Sequence, residues 1–246
     1  MGDLSQCSDI GGVKNVTTIP TKKKKKMIIK PNHFSGMMGV KKITKANGGE
    51  YTIRNNRHRY FFPDEWITFY DMLRPRQKIT FNFLINTGAR INEVRMIAVS
   101  DVDFDRHSIV LRWTKGRMND GSRKMRVLSI STQFTKWIKS TVREYNLKPE
   151  DNFPILSTPA ANVCMKKTLK KVGIKDWAMF SIHNVRKTLE TWLISLDIDS
   201  LKIIKHFGHT MNVAAKFYVS SDTFNYQDKQ VIRQVIGDLY QSRRVY

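Results

Sequence analysis

The chain runs to 246 residues and carries 43 Lys and Arg against 21 Asp and Glu, a formal net charge of +22. With 41% hydrophobic and 11% aromatic residues there is enough apolar material for a packed core, which excludes wholesale disorder. Two cysteines, Cys7 and Cys164, exclude a disulfide framework or a Cys-rich zinc site, and the positive charge points to a polyanionic partner, nucleic acid or an acidic membrane surface.

The length allows one large domain, or one domain with an appendage. Residues 1–60 hold 13 Lys and Arg against Asp3, Asp9 and Glu50, with an unbroken Lys run at 22–26 and little apolar periodicity. They predict a basic, largely flexible segment acting as a non-specific phosphate-binding arm, with a short hairpin around residues 45–60. The opening MGDLSQCSDIGG carries no basic-then-apolar signal, and Gln6 stands where a myristoylation pattern needs Ser or Thr. No apolar run approaches the roughly 18 residues of a membrane span. Secretion and membrane insertion are therefore not expected. The expected setting is the cytoplasm, in association with DNA.

Ordered structure is expected from Phe61. Pro63-Asp64-Glu65, followed by Trp66, Phe69, Tyr70 and Leu73, predicts a capped amphipathic helix. Residues 76–86 predict a second, with Ile79, Phe83 and Leu84 at helical spacing. Thr87-Gly88-Ala89 turns the chain before a third helix from Arg90 to about Ala98. β-prone stretches at 108–113 and 125–130 flank a polar loop with Asn119-Asp120-Gly121-Ser122, the pattern of a hairpin with a long loop. Helices are then predicted at 132–145, 160–172, 183–195, 200–207, 213–218 and 224–240. The class is α+β, mostly α: a helical bundle with one small antiparallel sheet or hairpin. The C-terminal helix is left open between packing on its own domain and docking on a neighbouring protomer.

The chemistry is carried by short motifs in this framework. In Ser181-Ile182-His183-Asn184-Val185-Arg186, His183 and Arg186 are three apart and share a face at a helix start, where backbone N–H groups favour an anion. Alone, such a pair is most often a surface feature. His206-Phe207-Gly208-His209 follows. Its two histidines have no carboxylate or Cys nearby in sequence to complete a metal site, so no metal is expected. Tyr218 lies nine residues past His209. Arg90 opens a helix after the Gly88 turn, with Glu93 one turn on to hold a neighbouring basic side chain. The hairpin between Arg112 and Arg126 is strongly basic, and Lys115-Gly116 lies where its first strand ends.

In this order and spacing, these residues resemble the catalytic domain of tyrosine recombinases, the phage-type integrases, which type IB topoisomerases partly share. The resemblance covers about residues 61–218. It rests on TGARINEV with Arg90 and Glu93, TKG with Lys115, SIHNVR with His183 and Arg186, FGH with His209, and FYV with Tyr218. It implies a catalytic domain at residues 61–222 that breaks and rejoins DNA by transesterification, with Tyr218 as nucleophile and a 3′-phosphotyrosyl intermediate. Arg90, Arg186 and His209 would stabilise the phosphate, His183 would take the tyrosyl proton, and Lys115 would protonate the leaving 5′-oxygen. No cofactor, metal or ATP is implied. The implied partners are double-stranded DNA and further copies of the chain, in a tetrameric synapse.

Departures from the pattern define the alternatives. Thr114 stands where a Gly often precedes the hairpin Lys, and the long loop makes Lys124 a second candidate for the acid. Tyr226 is a second candidate nucleophile at a poorer spacing. Arg112, Arg117, Arg123 and Lys124 are candidate DNA contacts. Residues 1–60 are too short and polar for the usual helical core-binding domain, so a catalytic-domain-only chain or part of a longer one is expected. A type IB-like topoisomerase and a DNA-binding protein built on the same scaffold are the other readings. A membrane-surface protein is disfavoured, because the basic residues are not gathered on one long amphipathic helix.

Overall fold

The computed structural model describes residues 41–44, 50–53, 59–112, 114, 121, 124–208 and 224–241. The Lys run at 22–26 and the helix predicted at 213–218 lie outside them. So do Lys115, Arg117, Arg123, His209 and Tyr218.

A first hairpin pairs β1 (Lys41–Thr44) with β2 (Glu50–Ile53) in antiparallel register, Lys41 opposite Ile53 and Thr44 opposite Glu50. It stands N-terminal of the predicted position, because the Asn47-Gly48-Gly49 turn signal lies between KKIT and EYTI in the sequence.

The main body starts at Arg59. Helix α1 (Pro63–Asp71) has Pro63 at its first position, where a missing N–H costs nothing. Glu65 accepts from the Phe62 N–H at 3.1 Å, closing the predicted cap, and from Arg59 Nη2 at 2.6 Å. Helix α2 (Pro75–Thr87) is buried along most of its second half and packs on α6 (Ile182–Ser195). Phe61, Trp66 and Phe69 join Phe81 in an aromatic core, with Phe69 and Phe81 edge to face at 4.9 Å. Each such buried ring contributes about 1.5–3 kcal/mol. The entry segment is stitched to α6: the Thr188 hydroxyl accepts from the Phe61 N–H at 2.9 Å, and Trp192 Nε1 donates to the Phe61 carbonyl at 3.1 Å.

Helix α3 is a single turn, Ile91–Val94, shorter than the predicted run to Ala98. Tertiary pairing ends it. The Ile97 carbonyl accepts from the Phe153 N–H, and extended Ala98 bridges Asn152. A 3₁₀ turn, Val99–Asp101, then leads into a strand the sequence did not signal, β3 (Val102–Asp103), too short for a period-two pattern. It completes an antiparallel sheet of order β3–β4–β5 with β4 (Ser108–Leu111) and β5 (Arg126–Ser129). Ile109 faces Leu128 and Leu111 faces Arg126 in the β4–β5 register.

Helix α4 (Thr132–Glu144) is capped by the Ser131 hydroxyl, which accepts from the Phe134 N–H at 3.1 Å. Helix α5 (Thr158–Lys171) follows, then α6 and α7 (Ser200–Phe207), closed by Gly208 at φ 63°. The last helix, α8 (Tyr226–Ile236), stops at Gly237 rather than running to Tyr240. In this structure it packs on α1, α2 and α6 of its own domain, with Ile232 and Ile236 buried. The fold is thus mostly helical with a small antiparallel sheet. Among the described residues no helix is long and apolar enough to cross a membrane.

Candidate active site

Five chain segments meet at one end of the bundle. They are the end of α2, the start of α3, the start of β5, the first turns of α6 and the end of α7. Gly88 makes the first corner at φ 56°, and a Cβ there would stand 2.5 Å from Phe207 Cε1. The chain leaves it extended through Arg90, which caps α3. Glu93, buried three residues on, accepts from the Arg90 N–H at 2.9 Å and from Arg90 Nη1 at 2.8 Å. The glutamate thus fixes both the main chain and the guanidinium of the residue that starts its helix.

Helix α6 is held at its N-terminus from three sides. The Asn184 side-chain oxygen accepts from Ser181 N–H and hydroxyl, each at 2.8 Å. Its amide donates to the Arg59 carbonyl at 2.6 Å, and Asn162 of α5 accepts from the Ile182 N–H at 2.8 Å. His183 is exposed in this first turn. Arg186, one turn further, is buried, with 3% exposure. Its Nη1 donates to the Gly88 carbonyl at 2.6 Å and its Nη2 to the Phe207 carbonyl, while the guanidinium lies 4.9 Å from the centre of the Phe207 ring. Burial first, and the neighbouring charges of Arg90 and Arg126 next, push its pKa down to about 10, so it remains cationic at neutral pH.

Sequence reasoning missed Arg126. Its Nη1 donates to the same Phe207 carbonyl at 2.5 Å, and its Nη2 pairs with Glu93 Oε2 at 3.3 Å. The signal was present: Arg126 shares the inward phase of its strand with buried Leu128 and Ile130, while Val127 points out. Arg90 and Arg126 therefore share one carboxylate, Glu93, with Arg186 beside them. The adjacent His206 adds no charge. It is buried, its Nε2 donates to the Thr87 carbonyl at 2.9 Å, its Nδ1 accepts from the Tyr240 hydroxyl at 2.7 Å, and burial pushes its pKa down to about 3. The arrangement is a preorganised cluster of guanidiniums, with Arg90 the most exposed of the three, a group type that pairs with anions of several acceptor oxygens.

Arg90, Glu93 and Arg186 are thus brought together, with His183 on the first turn of the Arg186 helix. The candidate DNA contact Arg112 pairs with buried Asp101, leaving its side chain 56% exposed. Lys124 is exposed, and its carbonyl accepts from the Thr114 hydroxyl. Tyr226 is the first residue of α8 and is exposed. Among the described residues no three or more His, Cys, Asp or Glu side chains are grouped so as to hold a metal ion.

Residues 59–223 match the phage integrase family, and the chain belongs to that family. A curated relative, the tyrosine recombinase XerA of Saccharolobus solfataricus, is 28% identical over 138 residues, covering 55% of this chain and 43% of that protein. A crystal structure of XerA recombinase superposes with a TM-score of 0.53 at 19% identity, covering 72% of this chain and 64% of that one. The Tn1549 transposon integrase, solved in complex with transposon right end DNA, gives 0.55 at 15% identity, covering 72% and 65%. The chain therefore shares their fold and spans less than half the length of the curated relative.

Proposed function

We propose that this chain cleaves and rejoins DNA strands at a specific site through a 3′-phosphotyrosyl intermediate on Tyr218, in the service of a mobile element or virus. The observation that carries this reading is the convergence of two motifs far apart in sequence, Arg90 with Glu93 and Arg186, on one network richer in positive than negative charge. Attack on a phosphodiester builds negative charge on the non-bridging oxygens. Guanidiniums already fixed in place stabilise that charge without reorganising.

The Tyr218 hydroxyl attacks the scissile phosphorus. A Tyr–O–P bond forms, the P–O5′ bond breaks, the tyrosyl proton passes to His183, and Lys115 supplies a proton to the leaving 5′-oxygen. His209 adds a hydrogen bond to the phosphate. Attack by a second 5′-hydroxyl reverses the step on a new partner strand, and the covalent link conserves the bond energy, so ATP is not consumed. Double-stranded DNA is the partner; the Tn1549 integrase, of the same fold, was solved in complex with transposon right end DNA. Arg112, Arg117, Arg123 and Lys124 contact its backbone, and the active assembly is a tetramer on two duplexes.

The test is to trap the intermediate. The full chain is incubated with nicked suicide duplex, or with supercoiled plasmid, in the presence of EDTA. A denaturation-resistant protein–DNA adduct is expected for the native chain and none for Tyr218→Phe. An adduct that persists in the variant moves the nucleophile, with Tyr226 next in line. Relaxation of plasmid without strand exchange selects a topoisomerase, and tight binding with no adduct selects a DNA-binding role.

A further inference from the structure

Arg126 belongs to none of the motifs, yet both of its hydrogen-bonded partners are shared with a motif arginine. Glu93 is held jointly by Arg126 and Arg90, and the Phe207 carbonyl jointly by Arg126 and Arg186. It is therefore the one side chain on the small sheet that touches both halves of the network among the described residues. We propose that Arg126 is a positioning residue for strand cleavage, fixing the orientations of Arg90 and Arg186 through Glu93 and the Phe207 carbonyl. This rests on the DNA-cleavage reading above.

Three observations favour positioning over simple packing. First, Arg126 is an expensive choice for its site. Its Nε is buried with no hydrogen-bond partner, and burial together with Arg90 lowers its pKa. An apolar residue such as Leu128, two positions on in the same inward phase, would serve packing alone at lower cost. Second, the end of α7 is shaped around it. A Cβ at Gly208 would stand 2.5 Å from Arg126 Nη1, so a side chain there would push that end of the guanidinium out of place, and the backbone is left-handed, at φ 63°. Third, a fork is required. The two acceptors lie on different elements, and one planar guanidinium reaches both, which a single ammonium does not.

The test compares the native chain with Arg126→Met, Arg126→Lys, Glu93→Gln and the double variant Glu93→Gln/Arg126→Met, in single-turnover adduct formation at saturating DNA. Arg126→Met is expected to slow cleavage by about 10²-fold, the loss that a misplacement of about 1 Å among the reacting groups can cause. DNA affinity is expected to stay within about threefold of native, because Arg126 acts through protein groups rather than phosphate. Arg126→Lys keeps the Glu93 pair but loses the Phe207 carbonyl, and it is expected to recover part of the rate and not all of it. The double variant is expected to be little slower than its slower parent, since both changes break one unit. Leu128→Ala serves as the control, loosening the same strand without touching the network, and it is expected to cleave at near-native rate once folded. Cleavage by Arg126→Met within threefold of native would overturn the inference. So would an equal loss in Leu128→Ala, or effects of Glu93→Gln and Arg126→Met that simply multiply. Should Arg126→Met not fold, Arg126→Lys carries the comparison, and a native rate in it overturns the inference equally. Absence of an adduct from the native chain would instead sink the cleavage reading itself.

Discussion

Arg186 shows how much the fold invests in a single side chain. Its guanidinium is out of water, beside the like charges of Arg90 and Arg126, and oriented by two main-chain carbonyls and an aromatic ring. A lysine there would offer one compact ammonium in place of a planar fork, and burial would push its proton off more readily. Arg186→Lys is therefore expected to lower single-turnover cleavage by about 10²–10³-fold while changing DNA affinity little. Adduct formation and a binding titration on the same duplex measure the two effects separately. Gly88 is the counterpart on the main chain: its positive φ and the Phe207 ring leave room for no side chain, and its carbonyl is what Arg186 grips.

Between elements, the link from the C-terminal segment to the site runs through His206. Tyr240, just beyond α8, donates to His206 on α7, and His206 donates to the Thr87 carbonyl at the end of α2. Thr87 directly precedes Gly88, so a short hydrogen-bonded chain joins the segment to the arginine network. The facing charges are Arg126 and Arg186, both of which disfavour a protonated imidazole. In the unfolded chain His206 takes a proton near 6.5, which the folded chain refuses until about 3. The unfolded state therefore binds more protons in that window, and stability falls as the pH drops through it, by at most about 1.4 kcal/mol per pH unit. Denaturant unfolding at pH 7 and pH 5 should show this loss in the native chain. In His206→Gln the pH dependence should be shallower, whatever the variant's absolute stability. An unchanged slope would mean that His206 is not the group responsible.

At the scale of the whole molecule the dominant feature is net charge. On the proposed reading, the basic side chains of this +22 chain displace counterions from the duplex, so affinity is expected to fall steeply with salt. If six to ten phosphates are neutralised, the loss is about 10³–10⁵ between 50 and 200 mM salt. The lysines at 22–26 lie outside the described residues, and their contribution can be measured directly. Replacing all five by Gln is expected to reduce the log–log salt slope by up to about 4–5, at roughly 0.9 for each phosphate no longer neutralised. An unchanged slope would assign the run to a solvated linker.

How far the sequence reaches depends on the range of the interactions involved. Helix starts at Pro63 and Pro75, the glycine corners at Gly88 and Gly208, and the alternation in the β4–β5 hairpin are local effects, readable within a few residues. So is the placement of Arg90, Glu93, His183 and Arg186 in or beside the first turns of α3 and α6. What is not readable depends on partners distant in the chain. Helix α3 stops after one turn because residues near Asn152 claim its continuation. Arg126 escapes the motifs because its partners lie on α3 and at the end of α7. His206 is neutral and structural because Tyr240 and Thr87 close around it and exclude water. The sequence by itself determined which residue types and turns were present. Only the tertiary structure decided which main-chain carbonyls they would hold and which charges would be stripped of solvent, since burial is a property of the assembled core and not of any short stretch of chain.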